Sequence, residues 1–457
     1  MQEKIFSPLL GNRLVPAQKF PQLRLKLKEH LRVVRHRQCL LPLDLFEPSS
    51  VDSIRRHVDG GRVVEIRSSD ETLIALGFFE PQRRRVDVFD IISRHAASLP
   101  TVSEDYFLAR LHFSWERRSR LLHLSQNNTY RIANGFPDGL PSLYIDLFSD
   151  SFVRIVATSV GAERLVPAVA EFFRGRGAEE ILLDTPLVGD DARVRLTAPT
   201  IPLANLYIEG GIQHLWLPET KRVSTAENQF LMNPAHRRSR RMLRDLGRDM
   251  NVLCVHDRSG SATLNALTTA KSVTCVQATA ELAGWATENI QFNHAKVIFE
   301  KSCAVLHAQV DALGPAALPH RRYDVVYLES DPRTLSTREQ WLQALTHLLR
   351  EGTVGVSTIV IMAQETGPQG ILDLLHRPSK EDDGASGNVG AGGGGDRPDG
   401  PASRKEIAQC IRDAADVFHL RVRFLRAFSP SVDFPLLPEE ESVSFSLAYL
   451  VEGPVIE

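Results

Sequence analysis

The chain has 457 residues, enough for roughly two to four domains, and its 43% hydrophobic and 24% charged content is that of a globular protein, not a disordered or fibrous one. A formal net charge of −2 gives no overall attraction to nucleic acid, so any basic surface has to be local. No apolar run approaches the roughly 20 residues of a membrane helix. The five cysteines (Cys39, Cys254, Cys275, Cys303, Cys410) form no Cys-x-x-Cys pair, which favours buried thiols in a reducing compartment over disulfides or a zinc site.

The first forty residues hold nine Lys or Arg against Glu3 and Glu29. Two readings stay open for this stretch, a mitochondrial presequence and a basic arm on RNA; Pro16 and Pro21 interrupt any amphipathic helix there. Residues 1–20 are set apart as this arm. Residues 21–95 read as a small β-rich domain: Arg62–Arg67 alternates, Thr72–Phe79 is apolar, and Arg85–Phe89 alternates again. Arg83, Arg84 and Arg85 lie at a turn, as a solvated hairpin tip or a phosphate-contacting edge. Residues 103–215 read as an α/β unit. Phe107, Leu108, Leu111 and Trp115 recur at helical spacing, Pro137-Asp138-Gly139 is turn chemistry, and strands follow at 143–148, 152–157 and 180–183 around a helix at 162–174.

Residues 216–457 alternate helix and strand, the pattern of an open parallel sheet. Val252–Val255, Val273–Val276, Tyr323–Leu328 and Val354–Met362 are near-continuously apolar, as strands buried on both faces should be. Residues 377–403, with Gly392 to Gly395 and an acidic run at Glu381–Asp383, are expected to be a disordered insertion. Ser403 is placed to cap a helix over Arg404–Phe418, and two strands at 421–428 and 442–450 are expected to close the sheet as an antiparallel hairpin.

The chain resembles the bacterial large-subunit rRNA cytosine-C5 methyltransferases, in which a PUA domain and a linking α/β domain precede a Rossmann-like, S-adenosylmethionine (AdoMet)-dependent domain of class I. The stretch that carries the resemblance is Tyr130-Arg131, then Asp138-Gly139-Leu140-Pro141 and Leu143-Tyr144-Ile145-Asp146, with Asp433-Phe434-Pro435-Leu436-Leu437-Pro438 near the end. The resemblance implies an α/β protein with a PUA-like domain at 21–95, the linking domain at 103–215 and the methyltransferase domain at 216–457.

It also implies a site, and this chain departs from it group by group. The loop after the first strand should hold two glycines; Ser259, Gly260 and Ser261 stand there, and Cys254 replaces an acid on the strand. The second strand should end in an acid that takes the ribose hydroxyls in charge-assisted bonds; it ends in Gln277. Ser302 or Lys301 falls where an adenine-reading acid is expected, unless Glu300 takes its place. The fourth strand leads to Glu329-Ser330-Asp331-Pro332 in place of Asp-Pro-Pro. Addition to carbon five of a pyrimidine needs a thiolate. Val360 falls nearest its place, and no cysteine lies between Cys303 and Cys410. In Asn228–Arg237, where the family has an aromatic-Leu-Asp-Gln-Arg pattern, only Phe230, Leu231 and Arg237 match in kind.

These changes all fall at charged or nucleophilic positions while the apolar strands remain. They imply a catalytically inactive homologue: no catalytic residue, no metal, and a vestigial cofactor set of Ser259, Gly260, Ser261, Gln277 and Glu329, with AdoMet as cofactor only if the pocket still works. Arg237, Arg240, Arg241, Arg244 and Arg248 fall on one helical face with few acids, which suits phosphate. Together with Arg83–Arg85 they form the expected RNA surface. His214, His236, His256 and His294 lack metal-ligand spacing. The expected partners are ribosomal RNA, ribosome assembly intermediates and other assembly proteins, without a membrane, in the mitochondrion or otherwise the cytoplasm. The competing readings are a working AdoMet-dependent rRNA methyltransferase and a protein–protein scaffold whose pocket is filled by its own side chains.

Overall fold

A computed structural model describes residues 20–34, 39–92, 101–122, 124–149, 151–184, 193–195, 206–215, 233–257, 260–297, 302–310, 313, 317–320, 322–330, 335, 337–350, 354–365, 402–428 and 444–453. The chain divides after Phe107 into two compact units. The basic arm, the insertion up to residue 401 and the segment Asp433–Pro438 lie outside the described residues. No described helix is long and apolar enough to cross a membrane.

The first unit is a five-stranded sheet of β1 (Gln22–Arg24), β2 (Leu40–Pro42), β3 (Arg62–Arg67), β4 (Leu73–Glu80) and β5 (Arg85–Ile91), in the order β1-β3-β4-β5-β2. Helices α1 (His30–Val34) and α2 (Pro48–His57) accompany it. Pro48 opens α2, where its missing N–H costs nothing, and Val51 and Ile54 turn inward one helical turn apart. They join Leu23, Leu25, Phe46, Val64, Ile66 and Phe79 in one core.

In the second unit, α3 (Glu104–Leu121) leads to a sheet of β6 (Thr129–Asn134), β7 (Leu143–Phe148), β8 (Phe152–Ala157), β9 (Glu180–Asp184) and β10 (Arg193–Arg195). Helix α4 (Val160–Arg174) crosses over between the parallel strands β8 and β9. The motif that carries the resemblance is a buried ion-pair network here. Arg131 grips Asp146 through two bonds of 2.7 and 2.9 Å, and Arg118 grips Asp138 through two of 2.7 and 2.6 Å. Gly139 holds φ +67°, and a Cβ on it would collide with the Arg110 guanidinium. That stretch is therefore accounted for by folding alone.

A hairpin of β11 (Leu206–Glu209) and β12 (Ile212–Leu215) precedes a seven-stranded sheet. Its members are α5 (Arg237–Leu246), β13 (Asn251–Val255), α6 (Ser261–Leu267), β14 (Ser272–Gln277), α7 (Ala280–Val297), β15 (Ser302–His307), β16 (Tyr323–Glu329), α8 (Arg338–Arg350), β17 (Val354–Glu365), α9 (Arg404–Val417), β18 (Arg421–Phe428) and β19 (Ser444–Glu452). The strand order is β15-β14-β13-β16-β17-β19-β18. All pairings are parallel except those of β19 with β17 and β18. This is the expected doubly wound, Rossmann-like sheet closed by an antiparallel hairpin, with β19 inserted inside and β18 left at the edge. Ser403 caps α9 in a reciprocal pair with Glu406. One face of the sheet packs on α8 and α9 around Trp341, Ile407 and Tyr449. The other carries Leu243, Ala262, Leu264 and Ile290 of α5, α6 and α7. The strand order reverses between β13 and β16, and in such sheets ligands bind in the crevice beyond the carboxyl ends at that point.

Candidate functional site

Four side chains meet at those carboxyl ends: Asp257 after β13, Gln277 at the end of β14, Glu329 at the end of β16, and His236 from the turn before α5. All are buried. Asp257 closes the start of α6 from within. Its two carboxylate oxygens accept the N–H groups of Ala262 (2.8 Å) and Thr263 (2.6 Å). Those amides are the positive end of the helix, where the fold would otherwise receive an anionic ligand group. Burial pushes the Asp257 carboxyl up to about 7, helped by the nearby Glu329 charge and opposed by the Thr263 and Ala262 amides. His256, also buried, holds a left-handed φ of 57°.

Gln277 is aimed at the same loop. Its Nε2 donates to the Asp257 carbonyl and reaches the Cys275 sulfur at 3.3 Å. Gly260 holds φ +72°, and a Cβ on it would lie 3.3 Å from the Ala286 Cβ of α7. Its retention follows from helix packing and needs no ligand. Ser261 is buried 3.5 Å from an Asp257 oxygen, and Ser259 lies outside the described residues.

Two expectations drawn from the resemblance are corrected by the strand limits. Ser302 is the first residue of β15, at the end of the sheet away from the crevice, and the carboxyl end is His307 followed by Gln309, whose Nε2 donates to the Ala278 carbonyl at 3.0 Å. Val360 lies in the middle of β17, paired with Val326 and buried. The level of Glu329 on β17 is Ala363, followed by Gln364, whose Oε1 accepts the Trp341 indole N–H at 2.9 Å. A valine or alanine in place of a thiol forms no covalent adduct in either position. Asp331 and Pro332, and residues 228–232 of the preceding segment, lie outside the described residues.

Glu329 sits in a dense polar cluster. His236 Nδ1 lies 3.1 Å from its Oε1, and Tyr327 donates to its Oε2 at 3.1 Å. Asn233 Nδ2 stands 3.4 Å from His236 Nε2, an arrangement satisfied when the neutral ring carries its proton on Nδ1 and donates it to Glu329. Burial raises the Tyr327 hydroxyl well above its usual range, and the Glu329 charge adds to it. Beside it Arg240 makes a two-pronged pair with Glu209, both bonds 2.7 Å, and donates to the Asn233 carbonyl. Burial works against both charges, but their mutual attraction prevails: Glu209 is lowered and Arg240 raised.

The arginine face expected on α5 is thereby divided. Arg240 is fully buried. Arg237 donates to the Thr129 carbonyl and lies 3.5 Å from Glu209, and Arg244 donates to Asn265 of α6 at 3.0 Å. Arg238 and Arg241 are the exposed pair on the helix, with Arg248 exposed just beyond it. In the first unit Arg84 is exposed at a left-handed position of the turn and Arg83 is half-buried. Arg85 is buried against Asp87 at 2.6 Å and does not face solvent. Asp257, His236 and Glu209 carry much of this site and were not foreseen. Asp257 stands in a loop where glycine was the residue sought, and the partners of His236 and Arg240 are remote in sequence.

No family model matches the chain. A relative, ribosomal RNA large subunit methyltransferase I of Aliivibrio fischeri (strain ATCC 700601 / ES114), is 31% identical over 130 residues, 27% of this chain. The match spans 31% of that relative's length. Among solved structures, a Streptococcus mutans protein assigned as a SAM-dependent methyltransferase superposes with a TM-score of 0.67 at 14% identity, covering 94% of this chain and 99% of its own. Another assigned methyltransferase, crystallised with SAH, gives 0.66 at 14% identity, covering 94% and 98%. The chain has the fold of the SAM-dependent methyltransferases. That fold implies AdoMet, and the residues present do not fit it. The Ala262 and Thr263 amides at the start of α6 are bonded to Asp257, and β14 ends in the neutral amide of Gln277 where the resemblance implies a carboxylate. The Gln277 Oε1, buried and without a hydrogen-bond partner among the described residues, suits a ligand hydroxyl.

Proposed function

We propose that this chain is an rRNA-binding, methyltransferase-like protein of the PUA-containing cytosine-C5 family that has lost catalysis and acts in ribosome assembly or as a ribosome-associated scaffold. The observation that carries the loss is the seating of the Asp257 carboxylate on the Ala262 and Thr263 amides. The absence of any cysteine between Cys303 and Cys410 removes the nucleophile. The rRNA part rests on the name of the Aliivibrio relative and on the exposed arginines Arg84, Arg238, Arg241 and Arg248. In this reading the first unit is the PUA-like domain, residues 103–215 link it to the methyltransferase-like domain, and assembly intermediates are the partners. Mitochondrial residence belongs to the proposal on the basic composition of the first forty residues, and imaging of the tagged full chain tests it.

Purified protein incubated with labelled AdoMet and large-subunit rRNA should transfer no methyl group while still retaining the RNA on a filter. Transfer above the no-enzyme background returns the second reading, a working rRNA methyltransferase, which the unpartnered Gln277 Oε1 favours.

A further inference from the structure

The first unit holds a cavity of about 210 Å³ at the N-terminal end of α2, lined by Arg24 of β1, Glu47, Ser49 and Ser50 at the start of α2, Arg67 of β3, and Glu71. It is smaller than the roughly 300–1,000 Å³ of sites for drug-sized ligands and suits a single small ring system. Its charges balance, two guanidinium groups against two carboxylates. A phosphate would meet Glu47 and Glu71 there, and an ammonium group would meet the arginines. The lining matches a neutral ligand that presents acceptors along one side and donors along another.

Local structure does not account for how these groups are placed. Glu47 stands where a side chain would ordinarily cap α2, yet its carboxylate makes no capping bond and lies 3.4 Å from the Arg24 Nη1. Glu71 holds a left-handed φ of 67°, which glycine would adopt without strain. Arg67 pins it there: its Nη1 donates to the Glu71 carbonyl at 2.7 Å, while its Nε and Nη2 hold Glu65. The Glu71 carboxylate then meets Arg24. A strained residue whose side chain lines a cavity points to function rather than to the turn itself.

Arg24 is incompletely satisfied. Its Nε is buried without a hydrogen-bond partner among the described residues. Nε and Nη2 make one fork of a guanidinium, and here Nη2 rests on an ion pair whose two side chains are 42% and 51% exposed. Such exposed pairs contribute little and exchange readily, unlike the buried pairs of the crevice. Guanine fits between Arg24 and Glu71. Its O6 and N7 are adjacent acceptors for an arginine fork, and its N1–H and N2 amino group are adjacent donors for a carboxylate. Adenine, cytosine and uracil each lack at least one of these two pairs.

We propose that this cavity holds an unpaired guanine, with O6 and N7 on Nε and Nη2 of Arg24 and the N1 and N2 hydrogens on the Glu71 carboxylate. Arg67 is a positioning residue that holds Glu71. The proposal rests on the RNA-binding reading above and deepens it by naming a base that the first unit reads. A free guanine nucleotide offers the same edge, and the experiment separates the two sources.

The test is fluorescence anisotropy of the full chain with a labelled oligouridine carrying one central guanine, set against the same strand with adenine, inosine or 7-deazaguanine there. Guanine should bind about tenfold or more tighter than adenine, the scale of one good two-pronged contact. Inosine lacks the N2 amino group and 7-deazaguanine lacks N7, so each should lose part of that gain. Arg24→Lys keeps the charge without the fork and should bind guanine and 7-deazaguanine alike. Glu71→Gly relieves the left-handed strain, so it should melt no earlier than the wild type while no longer telling guanine from inosine; this separates lost recognition from lost folding. Equal affinity for all four strands overturns the pocket and leaves the RNA-binding reading standing. Guanosine monophosphate bound with the same dependence on Arg24 and Glu71, by a chain inert to RNA, supports the guanine site and overturns the RNA-binding reading. A chain that binds neither overturns both.

Discussion

Asp257 decides more at this site than any other residue. A carboxyl held near 7 when its ordinary value is about 3.9 keeps its proton more tightly in the folded than in the unfolded chain. Its contribution to stability is therefore complete below about pH 4 and is lost as pH rises through about 7. The stability difference between wild type and Asp257→Ser, taken from melts, should shift against the wild type from pH 5 to about pH 7, by up to about 1.4 kcal/mol per pH unit, and level off above it. A difference that stays constant over this range would show that Asp257 does not titrate as its burial requires. The sequence made Gly260, Ser261 and Gln277 visible as departures from a pattern. It did not make Asp257 visible, because the pattern has no acid to lose there and the acid's role comes from the amides it meets after folding.

Among the elements, α5 shows what periodicity reveals and what it leaves out. Helical spacing correctly aligned Arg237, Arg240 and Arg244, but placed that stripe toward solvent. The stripe turns inward because Glu209, from a hairpin about thirty residues earlier, neutralises Arg240, and no spacing rule reports a partner at that distance. The strands were more legible, since strands buried on both faces must be apolar throughout and little else in a soluble chain is. The adenine-reading position was misplaced by about one strand length, because the strand Ser302–His307 is only partly buried and mixes polar with apolar residues. Arg240→Met leaves Glu209 buried with only Arg237, 3.5 Å away, to balance it, and should cost about 3 kcal/mol, most of which Glu209→Met in the same chain should return. Arg241→Glu with Arg248→Glu should leave stability within about 0.5 kcal/mol and weaken RNA binding. Thermal melts and filter binding on the same three variants check both halves. Loss of stability in the exposed pair, or none in Arg240→Met, reverses the assignment of faces.

Across the whole molecule, the apolar framework of a SAM-dependent methyltransferase fold is kept while the polar groups at its crevice have turned toward one another. Arg240 answers Glu209, His236 answers Glu329, Asp257 answers the α6 amides, and Gln277 answers the loop. A crevice satisfied in this way, the Gln277 Oε1 apart, gains little from a ligand, because most new bonds must first break an internal one. Linkage turns this into a measurement on the intact protein. A ligand present at 100 times its Kd stabilises the folded state by about 2.7 kcal/mol. AdoMet at 1 mM would reach that if its Kd were about 10 μM, and in a unit of this size the midpoint would rise by a few degrees. Wild-type protein should show no such rise. Asp257→Ser frees the Ala262 and Thr263 amides, so any residual affinity of the fold for AdoMet should reappear there first. A rise of several degrees in the wild type would mean that the internal bonds yield to the ligand, and the chain would then have to be read as a cofactor-binding protein.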